Sequence, residues 1–175
     1  MTRSHLLGGA LCAGTIAFNS ASFAQSDETE RRAQAQTLFD DAQKFIAQKD
    51  FAAGCAKLEE VVKLQPGKIG AMMELGECYE GWGKTASAWA RYRMASDWAS
   101  KAGDARKIDA DMKVALLEPK VSRLLVIVPE SMRWLGGLVI ERDGVAMGAA
   151  QWGAAMPADP GAHEISAVAP GKKKW

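Results

Sequence analysis

Few side chains in this 175-residue chain could carry covalent or metal chemistry. There are two histidines, His5 and His163, and three cysteines, Cys12, Cys55 and Cys78. His163 lies in an alternating stretch beside Pro160-Gly161, with no partner at metal-ligand or nucleophile–base spacing. A structural or exposed role is expected for it. Gly83-Lys84-Thr85 imitates the end of a phosphate-binding loop, but Cys78 stands where the first glycine belongs, and the segment joins two helices rather than a strand and a helix. His163-Glu164 lacks the second histidine of a metalloprotease helix, and no apolar frame singles out a carboxylate pair. The residues therefore predict no catalytic group, metal site or cofactor. Cys55 and Cys78 are left as either a bridge or two buried thiols, the bridge requiring an oxidising compartment.

Charge excludes a further class. Lys and Arg number 22 against 21 Asp and Glu, so the chain lacks the basic footprint of nucleic-acid binding. Arg3, the apolar and small-residue run Leu6–Phe18 and Ser22-Phe23-Ala24 read as an export signal cleaved after Ala24. That run falls short of the ~20 apolar residues of a membrane-spanning helix. Cys12 leaves with the signal. The expected compartment is the periplasm or cell surface. No Asn follows Asn19, so the later chain has no acceptor for Asn-linked glycans.

The elements that would position any surviving surface lie between Leu38 and Ala95. Ala42 recurs as Gly76, Phe45 as Tyr79, Gly54 as Ala88, Leu58 as Tyr92 and Val61 as Ala95, each pair 34 apart. That is the period of a helix–turn–helix repeat. Ala35–Gln48 and Ala52–Leu64 read as one hairpin around Lys49-Asp50-Phe51, after a polar lead-in from Gln25 to Arg32. Ile69 begins a second hairpin, turned by Gly81–Lys84 and returning over Thr85–Ser100. Ala105–Leu117 reads as a capping helix with Ile108, Met112, Ala115 and Leu116 facing inward. At Glu118-Pro119 the pattern changes. Leu124–Val128, Leu138–Arg142, Val145–Gly148 and His163–Val168 read as strands, with Asp143-Gly144 as a hairpin turn. Lys172-Lys173-Lys174-Trp175 reads as a solvated strand edge, the other reading being contact with an anionic surface.

The repeat resembles the tetratricopeptide repeat. Leu75-Gly76, Tyr79, Gly83, Ala88, Tyr92 and Ala95 carry the resemblance in the second copy, and Ala42, Phe45, Phe51, Gly54, Leu58, Val61 and Pro66 in the first. The first copy departs from the pattern at Asp41, and no proline closes the second. The tail is similar to PEGA-type surface modules through Asp143-Gly144-Val145, Gly148, Pro157, Pro160–Ile165 and Pro170-Gly171. The layout also resembles exported repeat proteins of large-genome Gram-negative bacteria such as myxobacteria, in which further segments follow. Trp175 falls where another strand is expected, so the chain reads as a fragment or an early-terminated copy.

These readings add up to an α+β chain: a signal at 1–24, a helical repeat unit at 28–118 and an incomplete antiparallel β module at 119–175. The resemblance implies a groove lined by Phe39, Gln43 and Ile46 from the first copy and Met73, Glu77 and Glu80 from the second. A non-enzymatic envelope protein holding a protein or peptide partner is expected, with no membrane span once the signal is removed. The alternative is a structural role, in which the β module associates with the cell wall and the helices act as a spacer.

Overall fold

The computed structural model describes residues 20–175; the expected export signal lies outside the described residues over positions 1–19. The chain is α+β, with consecutively packed helices followed by small antiparallel sheets. Helix α1 (Ser20–Ala47) and α2 (Phe51–Leu64) form the first hairpin, α3 (Ile69–Gly81) and α4 (Thr85–Ala102) the second, and α5 (Lys107–Leu117) follows. Helix α1 takes in the polar lead-in, where Arg31–Asp27 and Arg32–Glu28 pair one turn apart and favour helix over coil.

Local chemistry sets the turns. Lys49 adopts a left-handed φ of 62°, and the Asp50 carboxylate then accepts the Ala53 amide at 3.1 Å to start α2. Gly83 and Gly103, with φ of 78° and 64°, turn the chain after α3 and after α4.

Two clusters make the helical core. Ala42, Cys55, Leu58, Leu75, Tyr79, Ala88 and Tyr92 pack between the hairpins, and Cys55 and Cys78 are joined by a disulfide with Cα atoms 5.6 Å apart. Ile69, Met72, Ala95, Ala99 and Ala110 form the second cluster, toward α5.

Helix α5 corrects the expected inward face. Ile108, Met112 and Leu116 are 67%, 55% and 63% exposed, and Ala115 is exposed with them. The buried residues are Ala110 and Leu117. Small side chains explain the choice, because Ala110 against Ala95 and Ala99 lets α5 approach more closely than long side chains would. Polar ties on the same side hold the rotation: Ser96 Oγ donates to Asp111 at 2.5 Å and Lys113 Nζ to Glu80 at 3.0 Å. The helix therefore does not present the polar outer face expected of a cap.

After a 3-10 turn at Glu118–Lys120 come β1 (Ser122–Leu125), a short helix α6 (Glu130–Arg133), β2 (Val139–Arg142), β3 (Val145–Met147), β4 (Ala155–Ala158) and β5 (Ile165–Val168). The strands form two antiparallel sheets, β1–β4 and β3–β2–β5. Asp143 and Gly144 have φ of 53° and 76°, as the tight β2–β3 turn requires. The apolar run Leu124–Val128 pairs only at its start, against β4, which was not expected as a strand. Leu125 faces Ala155, and beyond it only the Gly153 amide reaches back to the Val126 carbonyl, at 2.9 Å, where Gly153 turns at φ 80°. Trp175 exchanges two backbone hydrogen bonds with Ala167 of β5, at 2.9 and 3.0 Å.

Candidate functional site

A cleft of about 630 Å³ lies between α1 and α3, with the end of α2 lining its base. Ala35, Gln36 and Phe39 line it from α1, Val61 and Gln65 from the α2 end, Ile69, Gly70, Ala71 and Glu74 from α3, and Lys68 and Arg106 from its rim. Periodicity explains the α1 wall, since Ala35, Gln36 and Phe39 share one face one turn apart. Gly70 leaves room on the α3 wall, where a Cβ would meet the Arg106 guanidinium at 3.3 Å. Arg106 is itself held by both carboxylate oxygens of Asp104, at 2.9 and 2.6 Å. That pairing holds the Asp104 carboxyl down at about 2. The cleft thus offers an apolar floor from Phe39 and Val61 beneath amide, carboxylate and cationic groups.

The six groove residues expected from the sequence are not brought together in this cleft. Phe39 lines it. Gln43 lies at its edge, donating to Glu74 across the two hairpins at 3.3 Å. Ile46 packs instead into the α1–α2 contact, where a Cβ at Gly54 would sit 2.6 Å from its Cγ1. Met73 packs against the α5-side core cluster. Glu77 is exposed. Glu80 accepts from the Tyr92 hydroxyl and from Lys113, both at 3.0 Å. Burial raises its carboxyl, but those two donors outweigh it and hold the group below its ordinary value. Gln36, Gln65, Lys68, Glu74 and Arg106 were not foreseen. Gln65 and Lys68 belong to the hinge between the hairpins, but Gln36, Glu74 and Arg106 are far from it in sequence and only the fold brings them to the cleft.

The aromatic residues of the second hairpin serve packing more than reception. Tyr92 is fully buried and Tyr79 nearly so. Burial, with the Glu59 carboxylate accepting its hydroxyl, pushes Tyr79 up to about 12. Trp82, in the turn, is 41% exposed and stacks on Tyr79 with ring centroids 6.4 Å apart. Lys84 lies 5.1 Å from the Trp82 centroid on the other side of the same turn.

His163 is bound on both ring nitrogens. Nδ1 is 2.7 Å from Asp143 Oδ2, and Nε2 is 2.8 Å from the Asp159 carbonyl oxygen. Asp159 in turn crosses to the helical unit: its carboxylate accepts the Ser87 amide at 2.9 Å and the Ser87 hydroxyl at 2.6 Å. Ser87 lies in the first turn of α4, and Lys84, the residue preceding that helix, makes no side-chain cap. Asp159 caps α4 from 72 residues away. The histidine has no free nitrogen to act as base or ligand in this geometry.

Among the described residues, no cluster of His, Cys, Asp and Glu could hold a metal ion, and no helix is long and apolar enough to cross a membrane. Neither a family model nor a curated protein matches this sequence.

Proposed function

We propose that this chain is a non-enzymatic, exported protein of the tetratricopeptide-repeat type that holds a peptide or protein segment in the cell envelope, with a PEGA-like β module behind it. The observation that supports this reading is the cleft between α1 and α3. Its volume, about 630 Å³, falls in the range of ligand sites, roughly 300–1,000 Å³. Its chemistry suits a short peptide: Phe39 and Val61 offer apolar contact, while Gln36, Gln65 and Glu74 can meet backbone amides and carbonyls. Phe39 is the anchor, being a large aromatic half-exposed at the cleft wall.

Selection of a random peptide library against the purified protein, followed by affinity measurements on enriched peptides, tests this. Phe39→Ala should weaken binding by about tenfold or more, the ordinary loss of a central aromatic anchor. Failure to enrich any sequence, or equal affinity for the variant, would remove the cleft reading and leave the spacer role. Export has a separate test. A C-terminally tagged copy should fractionate with the envelope, and recovery solely from the cytoplasm would overturn the compartment.

A further inference from the structure

We propose that His163 is a proton-operated latch that fastens the β module to the start of α4, closed when the imidazole is protonated and loosened when it is neutral. A neutral imidazole has one N–H, and an imidazolium has two. Here both ring nitrogens face acceptors, Asp143 Oδ2 at 2.7 Å and the Asp159 carbonyl oxygen at 2.8 Å. Only the charged ring satisfies both. Losing a proton sets a nitrogen lone pair against an oxygen lone pair on one side, so one of the two contacts must open.

The side that matters is Asp159. Its carbonyl is held by His163 while its carboxylate caps α4 through Ser87. The same residue therefore transmits the state of the ring to the junction between the two units. Asp143 is the firmer partner, because its other oxygen accepts the Glu164 amide at 3.0 Å and its own amide donates to the Glu164 carbonyl at 2.8 Å. A neutral ring keeps its proton on the Asp143 side, where the acceptor is charged, and releases Asp159.

The charges around the ring are mixed. Asp143 stands at Nδ1 and Asp159 beyond Nε2, Glu164 is the next residue, and Arg142 precedes Asp143 and donates to the Pro157 carbonyl at 3.2 Å. From the helical side, Ser87 meets Asp159, and Lys84 is turned over the Trp82 ring. The bond to Asp143 and then the Asp159 carbonyl raise the His163 pKa, with burial and then Arg142 opposing; the bond from His163 and then the Glu164 amide lower that of Asp143. Because the folded value for His163 lies above the unfolded one, its stabilisation is complete below the unfolded pKa and is lost as pH rises through the folded value. For Asp143 the stabilisation is lost only in acid, as pH falls through its depressed value. The latch is closed between those limits.

The test uses the full chain. Imidazole resonances are followed by NMR between pH 5 and 9, His163 being assigned by its absence in His163→Gln. Exchange of the Ser87 amide, corrected for intrinsic chemistry, is followed in parallel. The expected result is a His163 midpoint above the ordinary ~6.5 and a rise in Ser87 exchange of roughly threefold or more across that midpoint. His163→Gln should flatten the pH dependence, and Asp143→Asn should lower the midpoint. Asp159→Ala should leave Ser87 fast at every pH. Ser87 exchange that is flat with pH in the wild type, or that keeps its pH dependence in His163→Gln, would overturn the latch. So would a midpoint at or below the ordinary value.

Discussion

The two hairpins have the same layout 34 residues apart, yet they place their glycine on opposite helices. In the first, α1 contributes Ala42 and α2 contributes Gly54 and Leu58; in the second, α3 contributes Gly76 and α4 contributes Ala88 and Tyr92. Each glycine lies under the largest local intruder. Ile46 leans over Gly54, and the ring of Tyr92 lies against Gly76, where a Cβ would fall 2.7 Å from its Cε1. Close helix approach is thus maintained by exchanging volume between facing positions rather than by keeping residue types. The exchange has a polar consequence. A buried Tyr92 hydroxyl needs an acceptor, and Glu80 supplies it from the position equivalent to Ile46 in the first hairpin. Glu80 also takes Lys113, so the second hairpin is tied to α5 through a position that is purely apolar in the first.

Unfastening the two hairpins from each other should have the largest effect. The disulfide joins α2 to α3 across a separation of 23 residues. Closing a loop of that length restricts the unfolded chain by about 3 kcal/mol. The Cys55→Ala/Cys78→Ala protein should therefore unfold at lower urea concentration by that order. Equilibrium unfolding with and without reductant checks it: the wild type should converge on the variant when reduced. Equal midpoints for oxidised and reduced wild type would show that hairpin stacking does not depend on the bridge.

A smaller effect sharpens the volume argument. Gly76→Ala should destabilise by about 1–2 kcal/mol, because overpacking against a ring fixed by its hydroxyl outweighs the helix propensity gained. Adding Tyr92→Leu to Gly76→Ala gives the second hairpin the Ala-plus-Leu pairing that Ala42 and Leu58 make in the first. The double variant should be more stable than the sum of the single losses by about 1 kcal/mol. Strict additivity would mean that Gly76 and Tyr92 do not exchange volume.

Much of this pairing was readable in the sequence, because small and bulky residues recurring at one period have little other use than close helix packing. Ala42, Gly54, Gly76, Ala88 and Tyr92 are all buried where that pattern placed them. The direction of α5 was not readable. Periodicity tells which residues share a face, and Ile108, Met112 and Leu116 do; it does not tell whether a neighbour covers that face. Strand β4 was hidden for another reason. Ala155-Met156-Pro157-Ala158 has little strand propensity, and Pro157 fits because a two-stranded sheet leaves its unpaired side outward. The cleft wall shifted because Ile46, Met73 and Glu80 are drawn into internal contacts, leaving Gln36, Gln65 and Glu74 at the opening. The Asp159–Ser87 cap joins residues with no local relation, so no pattern in the chain announces it.

The smallest expected effect is the most discriminating, because its sign should reverse. At Gly54 a new methyl meets the movable Cγ1 of Ile46 at 2.6 Å, and the fixed carbonyl oxygen of Ala42 only at 3.3 Å. Ile46 is half-buried and can shift, unlike the Tyr92 ring, which is enclosed and hydrogen-bonded. Gly54→Ala should thus cost only about 1 kcal/mol or less, as the helix propensity gain of ~1 kcal/mol offsets most of the crowding. In an Ile46→Ala background the crowding disappears while the propensity gain stays. There Gly54→Ala should stabilise the protein, by somewhat under ~1 kcal/mol. Chemical denaturation of the four proteins in this cycle decides it. A cost that is the same in both backgrounds would place the obstruction at the Ala42 backbone, and the first hairpin would then be set by main-chain contact while the second is set by a side chain.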